Sequence, residues 1–173
     1  MILTPTQRAT LKTHIQANSD TNTLYVDGNL AGLTDLLNIE AVPAFWVWKP
    51  GVSRADIYNT QNDLVIAGAQ TGFWNWTTYK NQSVTEQNAW VQMFMGDIAN
   101  FALPNLRAGA DAIFSGAGAP ATQRAHIAAV AKRSATRAEK LFAAGAGVTA
   151  SPSTMTFEGG VTDQDISAAL ALV

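Results

Sequence analysis

Helix-start signals recur along this chain, and the apolar stripes that follow them make most of it helical. That spacing constrains the fold more than any other feature. Thr4, Pro5 and Gln7 set an N-cap threonine, a proline at the first helical position and a glutamine three residues after the cap, the pattern of a capping box. Leu11 and Ile15, four apart, give this helix its apolar stripe. A polar break over 18–23 precedes a second, shorter helix at about 28–37, with Leu30, Leu33, Leu36 and Leu37 on one side. Ser53 with Asp56 three residues on caps a helical turn.

Further along, periodicity predicts a helix over 63–80, with Leu64, Ala67, Thr71, Trp74 and Thr78 on one side and Gly68 and Gly72 weakening it. Another starts at Ser83 or Thr85 and carries Trp90, Phe94 and Ile98 every four residues. Pro104 opens a helix with Leu106, Ala110 and Ile113. The longest predicted helix spans 120–144, where Ile127, Val130, Ala131, Ser134, Ala138, Leu141 and Phe142 share one arc. Thr162 caps a last helix, with Asp163 and Asp165 at the positive end of its dipole and Ile166, Ala169 and Leu170 facing inward.

Two segments read as strands. Pro43 and Pro50 bracket a run of aromatic and β-branched residues, and alternation sets Phe45 and Val47 against Trp46 and Trp48. After a Ser/Thr/Pro linker, "TMTFEG" alternates Thr154, Thr156 and Glu158 with Met155 and Phe157. The expected fold is mainly α. It has two short strands, one in a helical core domain over 1–147 and one in a linker, strand and terminal helix over 148–173 that could serve as an intersubunit arm anchored by Phe157. Strand pairing within or between subunits stays open at this level.

Composition narrows the function classes. A net charge of −2 argues against binding nucleic acid through overall cationic charge. The absence of cysteine removes disulfides and thiolate metal sites. No apolar run is long enough to cross a bilayer, and Met1 leads straight into a polar helix start, so the expectation is a soluble chain with no membrane partner. Charged residues are only 14% of the chain, against roughly a quarter in ordinary soluble domains. A surface so thinly charged tends to associate, which points to an oligomer whose neighbours cover much of it.

No catalytic or cofactor constellation stands out. His14 and His126 lack a helical partner for metal binding and read as helix-surface residues. "SGAGAP" and "AAGAGV" lack the lysine of a phosphate loop and follow helices, so they read as helix stops. No G-x-S-x-G elbow nominates a nucleophile. No metal, cofactor or enzymatic activity is therefore expected. The candidate interface residues are Trp46 and Trp48, the anchor Phe157, and the cations Arg133, Arg137 and Lys140, spaced i, i+4, i+7 beside the apolar arc. Those cations also admit an alternative function, a DNA-contacting accessory protein that uses a basic helix face. A helix-turn-helix partner for sequence reading is missing.

Three blocks, "LTPTQRATLKTHI", "PAFWVWKPGVSRADI" and "KRSATRAEKLFAAGAGVTASPSTMTFEGGVTDQDI", resemble a family of small virion proteins of tailed bacteriophages. The third is the most specific, joining R-x-E-K-L-F-A, a glycine turn, a Ser-Pro linker and T-F-E-G in one order. The resemblance covers about half the chain, and 58–120 matches only as helices. It implies a non-enzymatic structural protein of the neck or tail region: a head-tail adaptor, tail completion or collar protein. Such a protein would assemble as a homo-oligomeric ring with portal or tail proteins, in the virion, with at most non-specific contact to packaged DNA.

Overall fold

The computed structural model describes residues 3–61, 65–66, 69–70 and 72–172. In chain order the elements are α1 (Pro5–Ala17), α2 (Ser19–Val26), α3 (Leu30–Asn38), β1 (Trp46–Trp48), β2 (Val52–Ser53), α4 (Arg54–Asn59), β3 (Val65–Ile66), β4 (Ala69–Gln70) and α5 (Trp76–Lys80). They continue as α6 (Val84–Met93), β5 (Ile98–Ala99), α7 (Pro104–Ile113), α8 (Ala119–Val130), β6 (Lys132–Ser134), α9 (Arg137–Leu141), β7 (Ala143–Ala144), β8 (Thr154–Met155) and α10 (Asp163–Leu170). The protein is mainly α with short strands, as the spacing of helix starts predicts.

The chain forms two units, one of residues 1–47 and 134–173, the other of 48–133. The boundary falls inside β1 and β6. This differs from the expected division into 1–147 and 148–173. The physical reason is burial: Phe157, Val161, Ile166 and Ala169 are each at most 2% exposed, in one cluster with Leu3, Leu11, Ile15, Leu33 and Leu37. An arm free to leave would expose all four, at a cost of about 1.5–3 kcal/mol for each large side chain.

In the first unit α1 packs on α2 and α10, and α10 packs on α3. The predicted capping box at Thr4 is present, with the threonine hydroxyl accepting from Gln7 N and the glutamine side chain accepting from Thr4 N. Of the expected break over 18–23 only Asn18 leaves the helix, with extended backbone, and 19–23 belong to α2. The buried Thr21 hydroxyl donates to Ile15 O at 3.0 Å, which lets a polar residue sit inside the turn between α1 and α2. Asn38, the last residue of α3, accepts from Val161 N at 2.9 Å and donates to Val161 O at 2.8 Å, filling both backbone positions of a distant segment. β8 pairs antiparallel with β7, Ala143 opposite Met155. The strand expected as an intersubunit arm thus pairs within its own chain.

The longest predicted helix is broken. α8 stops at Val130, and the backbone of 135–137 turns to residues 39–45: Ala135 N donates to Phe45 O at 2.7 Å and Arg137 N to Ile39 O at 2.9 Å. Thr136 then caps α9 in a full capping box with Glu139. Glu139 is 1% exposed, its Oε2 accepting from Thr136 N and its Oε1 from Gly159 N, both at 2.9 Å. The apolar arc of 127–142 is real as burial but is divided between two helices and a strand.

In the second unit Trp90 is the centre of the core. It stacks on Trp74 at 5.3 Å, meets Phe114 and Phe94 edge-on, and donates from Nε1 to the Tyr58 hydroxyl at 3.0 Å. β2 pairs antiparallel with β5, Val52 opposite Ala99. The predicted box at Ser53 and Asp56 caps α4. The 63–80 segment is not one helix. β3 and β4 form an antiparallel pair, and α5 begins only after Asn75, whose side chain accepts from Thr78 N. Leu64, Ala67, Gly68 and Thr71 lie outside the described residues. The helix from Ser83 also ends earlier than its stripe suggests, because Gly96 and Asp97 take left-handed backbone (φ 88° and 67°). Ile98, expected on the buried side, is 59% exposed in β5.

Candidate functional site

Within the first unit, α9 brings Arg137 and Lys140 to α1 and α2. Arg137 pairs with Asp20, and Lys140 stands 5.7 Å above the Phe45 ring. The Arg137 hydrogen bond holds the Asp20 carboxyl below its ordinary range. His14 belongs to the same group, its Nδ1 accepting from the Asn18 amide at 3.0 Å. Burial, then the positive charge of Arg137, hold its imidazole below the ordinary 6.5. With Nδ1 an acceptor, Nε2 carries the proton, buried and without a hydrogen-bond partner among the described residues. His14 is thus a neutral wedge beside an ion pair.

Arg133 lies in β6 and in the other unit, while Arg137 and Lys140 ride on α9, and Arg137 is committed to Asp20. Three cations read as i, i+4, i+7 of one helix are not on one helix. Phe157, expected as an intersubunit anchor, is 2% exposed and meets Phe142 edge-on at 5.3 Å in its own core. Trp46 is half-buried, its backbone held on one side by Gly147 O and on the other by Ser153 N. The "AAGAGV" glycines serve this approach: Gly147 has φ +64°, and a Cβ there would stand inside the Phe45 ring. His126, expected at the surface, is fully buried and donates from Nε2 to Ile57 O at 2.7 Å.

In the second unit a half-open pocket of about 180 Å³ opens beside Trp48, walled by Phe101, Ile127, Arg107, Asp111 and Arg124. Its arginines act as staples. Arg107 lies 4.8 Å over the Trp48 ring and donates from Nη1 to Phe101 O at 2.6 Å and to Ala102 O at 2.9 Å. Arg124 donates to Phe114 O, at the cap of α7, and at 3.0 Å to Gly116 O in the loop that follows. The remaining polar lining residue, Asp111, sits 3.9 Å from Arg124. The pocket can receive an apolar group, and its lining holds no nucleophile beside a base.

Among the described residues no cluster of three or more His, Asp or Glu side chains could hold a metal ion, and no helix is long and apolar enough to cross a membrane. No family model, no curated protein and no solved structure significantly matches the chain.

The sequence reading missed the outer face of α6. Val84 is 73% exposed, Val91 41% and Met95 76%. A signal was present, since residues 81–96 contain one ionisable side chain, Glu86. An ordinary exposed helix of this length would carry several.

Proposed function

We propose that this chain is a structural protein of a tailed-phage particle, in the neck or tail region, assembling as a ring with copies of itself and with portal or tail proteins. It works by being packed among neighbours, with no chemical turnover. The observation that carries the reading is large apolar side chains left in water by a charge-poor chain: Val42 is 89% exposed, Val26 74%, Met95 76% and Val84 73%. Covering such a side chain stabilises an interface by on the order of 1–3 kcal/mol. The resemblance of the three sequence blocks described above supports the neck or tail region of the particle.

The DNA-contacting alternative cannot use one helix face as expected, since Arg133 lies in β6 and Arg137 and Lys140 on α9. The test is compositional. Gradient-purified particles from an infected host should contain this chain at a constant, ring-like number of copies per portal. Particles assembled without it, with full infectivity, would overturn the reading.

A further inference from the structure

The pocket beside Trp48 lies wholly within the second unit and joins apolar walls to fixed charges. Phe101, Ala110 and Ile127 are buried, and Ala128 completes the apolar lining. The ionisable lining is two arginines and one acid, which leaves one positive charge in excess. Both guanidiniums are held, and neither is used up. Arg107 commits Nη1 to Phe101 O and Ala102 O, and its Nε and Nη2 make no hydrogen bond among the described residues. Arg124 commits Nη1 to Phe114 O and Nη2 to Gly116 O. Its Nε stands 3.9 Å from Asp111, too far for a hydrogen bond. A guanidinium has five N–H donors, so each arginine keeps three. Burial holds Arg107 below its ordinary range, and the charge of Asp111 offsets that only in part.

We propose that this pocket binds a small carboxylate with a short apolar body, its oxygens on the free N–H groups of Arg107 and Arg124 and its hydrocarbon against Phe101, Ala110, Ile127 and Ala128. Three observations select this chemistry. The excess charge is positive, so an anion gains from it and a cation does not. A planar carboxylate offers two acceptors to the forked donors of a guanidinium, the pairing in which arginine binds most strongly. The volume of about 180 Å³ is that of roughly six waters. An acid of about eight heavy atoms fills it, with its apolar part replacing water on the hydrocarbon lining. Arg107 is also oriented in advance, by the Trp48 ring at 4.8 Å and by two carbonyls. Little side-chain freedom is then lost when the anion arrives.

The site does not depend on assembly into a particle, so it and the proposed function fail separately. The full chain is titrated with 4-methylpentanoate, followed by the indole N–H resonance of Trp48, which is assigned by its loss in Trp48→Phe. Saturable shifts with a Kd of about 1 mM or tighter are expected. The uncharged 4-methylpentanamide, of equal size, should bind at least about tenfold more weakly. Asp111→Asn removes a like charge at an exposed side chain and should tighten binding of the acid about fivefold at low salt. Arg107→Gln should weaken it at least about tenfold. Because Arg107 also holds 101–102, Ala128→Leu is the second variant: it fills the pocket with both arginines in place and should abolish the shifts. A free acid and the end of a peptide share this chemistry, and acetyl-glycyl-leucine separates them. Tighter binding of the peptide assigns the pocket to a chain end, and weaker binding assigns it to a free acid. No saturable shift up to roughly 10 mM acid would overturn the proposal. So would equal binding of acid and amide, binding to Asp111→Asn no tighter than to the parent, or unchanged binding to Ala128→Leu.

Discussion

Replacing Phe157 by alanine separates a docked core segment from a detachable arm. Phe157 is 2% exposed, meets Phe142 edge-on at 5.3 Å, and shares its cluster with Leu3, Leu11, Ile15 and Ile166. Truncating a buried phenylalanine costs about 3–5 kcal/mol, from lost transfer energy and the cavity left behind. The edge-to-face pair accounts for about 0.5–1.5 kcal/mol of that. In a chain of this size the loss should lower Tm by on the order of 10 °C. Urea unfolding followed by far-UV circular dichroism gives the free energy. Tryptophan fluorescence weights the second unit, which holds Trp48, Trp74, Trp76 and Trp90. The two signals together show whether the loss stays in the first unit. Phe157→Leu should fall between the parent and the alanine variant. A loss below about 1 kcal/mol would refute the packing argument, since only an exposed side chain can be cut that cheaply. The same reasoning predicts that deleting 150–173 unfolds the first unit, because Val161, Ile166 and Ala169 leave with Phe157.

Asn38→Ala removes both side-chain bonds to Val161, leaving a buried backbone N–H and C=O unpaired; denaturant titration should register a loss of about 2–4 kcal/mol. Gly147→Ala should destabilise more than Gly28→Ala, although both have φ near +65°. A Cβ at 147 meets the Phe45 ring and one at 28 meets nothing within 4 Å, so equal melting temperatures would contradict this placement. The pH dependence follows from His14. Its folded pKa lies below the ordinary 6.5, so between the two values the unfolded chain binds more protons and stability falls as pH drops through that window. Asp20, held below its ordinary 3.8, adds a second loss at still lower pH. His14→Gln should flatten the curve just below 6.5 and leave the lower limb in place.

Local chemistry was legible where one short segment contains the whole signal. The boxes at Thr4, Ser53 and Thr162 each place an oxygen acceptor and its reciprocal partner three residues apart, and all three cap helices. Thr136 and Glu139 carry the same signal. It was hidden by an apolar arc that keeps helical spacing from 127 to 142 although the chain leaves the helix at 131. Periodicity records which side chains are buried, and a strand flanked by two helices can bury the same set. Asn38 and Val161 were beyond any local reading, since their bonds join residues 123 apart in sequence.

By itself the sequence determined a mainly helical chain, a thinly charged surface, and most helix starts, because caps and charge content act over a few residues. Only the tertiary structure decided which pieces belong together. It folded 134–173 back onto 3–47, buried Phe157 and His126, divided Arg133 from Arg137 and Lys140, and left the outer face of α6 in water. Those outcomes depend on the free energy of burying side chains from distant segments against one another, which no short window of sequence contains.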